Sequence, residues 1–65
     1  MEVEEIRKTT KPRPFKPFEF HLDNGNVHLI NHSEIIIADS IIAAVDQNGK
    51  IVLIAPEAVG SIKYT

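Results

Sequence analysis

The sequence predicts an all-β fold: a small, partly open antiparallel barrel of five strands, of the SH3-like or Sm-like kind, preceded by a short N-terminal helix or extended arm. Three observations carry this expectation. Two Asn-Gly dipeptides, Asn24-Gly25 and Asn48-Gly49, each lie between apolar runs rich in Ile, Val and Phe. Asn and Gly most readily take the positive φ values that a tight reversal demands, so each dipeptide marks a hairpin. Before the first of them Phe18, Phe20 and Leu22 alternate with Glu19 and His21, the period-two pattern of a half-buried strand. With 65 residues, 43% of them hydrophobic and 25% charged, the chain has the balance of one globular domain and no room for a second core.

The elements follow in order. Val3 and Ile6 have helical spacing, so residues 3–9 form one or two helical turns or a frayed arm. Residues 11–17 hold three of the four prolines, which fix φ and remove backbone donors, and so read as an extended, polyproline-like stretch. The chain thus divides into a basic, Pro-rich arm, residues 1–17, and a barrel, residues 18–65. The first strand starts at Phe18. A two-residue turn at Asn24-Gly25 sets Leu22 opposite Val27, His21 opposite His28 and Phe20 opposite Leu29, with every apolar side chain on one face. A three-residue loop would instead set Phe20 against His28 and mix the faces, which disfavours it.

Asn31, His32 and Ser33 interrupt the pattern and residues 34–38 resume it, which reads as a bend within one long curved strand. Asp39-Ser40 is a turn, and residues 41–45 are apolar enough to form a central, largely buried strand. Asp46-Gln47-Asn48-Gly49 suits a type I turn, with the chain returning over residues 50–55 in either of two registers. Pro56-Glu57-Ala58 reads as a single helical or 3₁₀ turn that Gly60 can end, before a last short strand over residues 61–64.

The stretch from Pro14 to Val27, PFKPFEFHLDNGNV, together with His32-Ser33-Glu34, resembles a group of small bacterial proteins. Those proteins open on Pro-Phe-x-Pro-Phe and continue through an alternating strand, an Asp/Asn-Gly turn and a His-Pro-Glu loop. Ser33 stands where that group has proline, and the likeness covers about a third of the chain. It brings no activity with it. The order of elements also resembles the bacterial Sm-like RNA chaperones, although the chain lacks their basic signature near the C-terminus, where Pro56-Glu57-Ala58-Val59 is apolar and acidic.

Composition narrows the function. There is no cysteine, so neither disulfides nor thiolate ligands reinforce the core. The net charge is −2, but residues 1–17 carry five Lys or Arg against three Glu, and the remainder carries six acidic residues against two lysines. An acidic body disfavours nucleic acid as a partner, which needs a concentrated basic face. The acidic N-terminus lacks the features of a secretion signal, and the apolar runs fall far short of the ~20 residues that span a bilayer. The expected location is the cytoplasm, with no membrane partner.

Candidate sites are few. In the two-residue register His21 and His28 become cross-strand neighbours near Glu19 and His32, residue types that ligate zinc, nickel or copper. Three solvated histidines on a polar face are the expectation instead, so neither metal nor cofactor is assigned. Lys11, Arg13, Phe15 and Lys16, among the arm's prolines, form either a polyproline-type recognition arm or a strap packed over a barrel end by Phe15 and Phe18. No serine has a base at triad spacing, and glycine is too sparse for a phosphate loop, so no catalytic residue is named and no enzyme is expected. The Ile-rich run over residues 34–44 exceeds what so short a chain can easily cover. It points to self-association, through strand addition or an Sm-like ring, unless the arm caps a monomer. The expected function is a non-enzymatic binding or assembly module contacting protein, itself or another; the alternative is an Sm-like RNA-binding subunit using Arg7, Lys8, Lys11 and Arg13.

Overall fold

Glu4 and Glu5 in the first turn and Arg7 and Lys8 in the last complement the dipole of an eight-residue helix, α1 (Val3–Thr10). Ile6 and Thr10, one turn apart, form its buried face, and the Thr10 hydroxyl donates back to the Ile6 carbonyl at 2.8 Å. Pro12 then prevents continuation. The computed structural model describes all residues, Met1–Thr65, and after α1 it contains six strands. These are β1 (Phe18–Leu22), β2 (Val27–Ile30), β3 (Ile35–Ile37), β4 (Ile42–Val45), β5 (Ile51–Ile54) and β6 (Val59–Tyr64), with a 3₁₀ turn at Pro56–Ala58.

The strands form two three-stranded antiparallel sheets, ordered β2-β1-β6 and β3-β4-β5. The expected count of five is thereby corrected to six, and the sheets do not close into a barrel. The reason lies at Asn31–Glu34, four exposed polar residues outside either sheet that carry the chain from one to the other. What reads in sequence as one curved strand is β2 and β3, each paired in a different sheet.

The first hairpin also differs from expectation. Phe18 pairs with Ile30, Glu19 with Leu29, Phe20 with His28 and His21 with Val27, the register of the three-residue loop. A two-residue type I′ turn needs positive φ at both central residues. Gly25 has φ 90°, but no residue other than glycine has positive φ, so Asn24 does not supply the second. The loop closes instead through Gly25 N–H to Leu22 O at 3.0 Å and Leu22 N–H to Asn26 O at 2.9 Å, with Asn24 Oδ1 accepting from Asn26 N–H at 2.9 Å. Asp46 to Gly49 repeats this device: Gly49 has φ 78°, its N–H donates to Asp46 O at 3.0 Å, and Val45 faces Ile51. Asp46 Oδ1 further accepts from the Asn48 and Lys50 amides.

Both sheets and the helix contribute to one core of Ile6, Phe18, Phe20, Ile30, Ile42, Ala44, Ile54 and Val59. Phe18 and Phe20 meet edge to face, with ring centroids 5.1 Å apart. Thr10 is the buried residue that is polar, and no buried side-chain nitrogen or oxygen lacks a partner. The helix is tied to both sheets. Arg7 donates to Ile37 O at 3.1 Å at the end of β3, and Tyr64 of β6 donates its hydroxyl to Thr9 O. The Met1 ammonium donates to Val59 O at 2.9 Å.

Candidate functional site

The two sheets present different outer faces. On β2-β1-β6 the outward positions are Glu19, His21, Val27, Leu29, Ser61 and Lys63, a mixed surface on which His21 Nε2 and Glu19 Oε1 lie 2.9 Å apart. On β3-β4-β5 the inward set includes Ile42, Ala44 and Ile54, all buried, with Ile35, Ile37 and Val52 packed against them. Alternation then turns Ile36, Ala43, Val45, Ile51 and Leu53 outward. No outward position in these three strands carries charge. Ile36, Ile51 and Leu53 remain 70%, 74% and 68% exposed.

Register gives that face relief. One cross-strand row reads Ile36, Ala43, Leu53, two long side chains flanking a methyl group, and the next reads Val45, Ile51. A shallow trough of about 320 Å³ lies along Ile36, Ala43, Val45 and Ile51, with Ser33 and Glu34 also lining it. Burying apolar area is worth about 25 cal/mol per Å², so a face that leaves three large side chains in water is the strongest unsatisfied driving force on the molecule. In sequence its signal is the absence of alternation: the three Ile/Val-rich runs are apolar at both parities, and a chain this short covers only one side of the sheet they form. The apolar surplus expected over residues 34–44 lies here, on the face of the sheet rather than at a strand edge.

The histidines are not brought together. The observed register puts His21 on the outer face and His28 on the side of Phe20, while His32 lies in the exposed connection between β2 and β3. No three His, Cys, Asp or Glu side chains gather at metal-binding distance.

The arm is divided. Phe15 is half-buried and meets Phe18 at 6.0 Å, as a strap does, whereas Lys11, Arg13 and Lys16 are exposed. The chain bends at Arg13 and Pro14, so the stretch is not one continuous polyproline helix. Between α1 and β3 an open groove of about 490 Å³ is lined by Arg7, Lys8, Lys11, Arg13, Ile35 and Ile37 among others. Arg7 is committed there: it bonds Glu4 and, at 3.3 Å, Asp39, and these two contacts in that order raise its pKa above the usual arginine value. Arg13 turns Nη1 onto the carbonyls of Thr10, Lys11 and Pro12.

No helix is long and apolar enough to cross a membrane. Comparison with family models, with curated proteins and with solved structures gives no match.

Proposed function

We propose that this chain is a small non-enzymatic binding and assembly module that docks protein through the outer face of β3, β4 and β5. One observation carries the reading: five outward positions on three adjacent strands are all apolar, and the three largest are about seven-tenths exposed. Scattered surface apolar residues are ordinary, but a contiguous patch bordered by polar residues is characteristic of an interaction site. In this reading the fold is an opened SH3-like barrel whose strands are divided between two sheets. The step between sheets at Asn31–Glu34, the 3₁₀ turn that leads back, and the pairing of β6 with β1 support it. A non-catalytic role is supported by an interior filled with its own side chains, whose buried polar residue, Thr10, is spent on a backbone carbonyl.

Paired baits test the proposal. Immobilised wild type and an Ile51→Glu/Leu53→Glu variant are offered a native lysate that also contains untagged chain. Protein retained by the wild type and lost from the variant is the expected result; equal capture by both, or none by either, overturns it.

The groove beside α1 favours a second reading, the RNA-binding subunit, through Lys8, Lys11 and Arg13. Three phosphate contacts on a single strand give a slope of about −2 in log affinity against log salt. Binding of a single-stranded oligonucleotide that ignores salt, or its absence at low salt, rejects this reading.

A further inference from the structure

We infer that the occupant of the β3-β4-β5 face is a second copy of this chain, packed sheet to sheet about a two-fold axis that runs along the strands. This rests on the reading above and names its partner. Three features lead to it. The first is size. Three strands ~4.8 Å apart and three or four residues long present a face of roughly 14 by 13 Å. A standard interface takes about 800 Å² from each partner, close to a fifth of the 4224 Å² surface of this molecule. A broader partner would overhang the apolar strip and desolvate Glu34, Asp46 and Lys50 around it, at a cost in unpaired charge. The same sheet from another copy has the dimensions of the strip it covers.

The second feature is self-complementarity, which an isologous contact requires. An axis along the strands lays β3 of one copy over β5 of the other, so Ile36 meets Leu53 twice across the interface. Aligned sheets pack about 10 Å apart with their side chains interdigitated. The row Ile36, Ala43 and Leu53 of each copy lies over the same row of the other, so the centre of the contact stays uncharged.

The third is the thinness of the core. Eight buried apolar residues hold 65, without cysteine and without a gathered set of metal-ligating side chains. Among the devices that reinforce domains of this size, association is the one for which the molecule carries a surface. Because the strip is smaller than a standard interface, the dimer belongs to the weak, reversible class.

Sedimentation of the purified chain, from about 10 μM to about 1 mM as weak interfaces require, tests this directly. The wild-type mass rises with concentration from 7.3 kDa towards twice that value. Leu53→Glu and Ile36→Glu, both at exposed positions, retain the wild-type circular dichroism spectrum and bind their own copies at least tenfold more weakly. A wild-type mass fixed at 7.3 kDa up to the highest concentration overturns the second copy. Face-dependent capture in the lysate experiment would in that case leave the docking face intact with another occupant. A doubling of mass insensitive to Leu53→Glu and Ile36→Glu also overturns it, in favour of pairing through strand edges.

Discussion

At Gly25 and Gly49 the backbone holds φ values of 90° and 78°, and a Cβ added at either would meet nothing within 4 Å. The cost of a side chain there is therefore conformational rather than steric. Gly25→Ala and Gly49→Ala should each lower stability by about 1 kcal/mol, read as a shift in the urea midpoint. Gly25→Asn should lose less, since Asn tolerates the left-handed region better than Ala. Core positions behave differently. Phe20 is fully buried against Phe18, and truncating a buried Phe to Ala costs about 3–5 kcal/mol. A domain of this length holds only roughly 3–10 kcal/mol in total. Phe20→Ala should consequently leave much of the population unfolded by circular dichroism at 25 °C, a result that an exposed substitution such as Leu53→Glu should not reproduce.

Among the elements, the short strands and the 3₁₀ turn at Pro56 were legible because alternation, Asn-Gly corners and proline act locally. Register was not. An Asn-Gly corner serves a two-residue or a three-residue loop, and the choice depends on φ at Asn24, which the apolar pattern does not report. Placing all apolar residues of the first hairpin on one face argued for the shorter loop. The tertiary fold overrides it, since Ile30 opposite Phe18 is the contact the core uses, and Val27 and Leu29 accept positions beside Glu19 and His21. The histidine cluster depended on that register and disperses with it. The N-terminal arm offers a test at the same scale. Ile6 belongs to the core and Phe15 packs on Phe18, so residues 1–17 brace the sheets rather than trail from them. Phe15→Ser should remove about 1–2 kcal/mol of half-buried aromatic packing. For a domain this small each kcal/mol shifts Tm by roughly 4–8 °C, and an unchanged Tm would show that the arm is free.

Taken whole, the molecule has one surface whose chemistry is at odds with water, and the sequence could show its composition but not its location. Apolar runs at residues 35–37, 42–45 and 51–54 supply two faces of side chains, and only pairing in space decides that one face meets the core while the other meets solvent. That asymmetry has a thermodynamic consequence. A partner that binds the folded chain and not the unfolded one stabilises it by mass action. With a second copy as that partner, each tenfold rise in protein concentration above the dissociation constant adds about 1.4 kcal/mol per dimer, roughly 0.7 kcal/mol per chain. The wild-type Tm should therefore climb by several degrees as the protein is concentrated, following the scaling for small domains. Leu53→Glu should melt at the same temperature throughout, because its core is untouched and its face no longer accepts a neighbour. A flat wild-type Tm in a series that spans the association range would separate the fold from any dependence on its own copies, and would leave the eight-residue core alone responsible for stability.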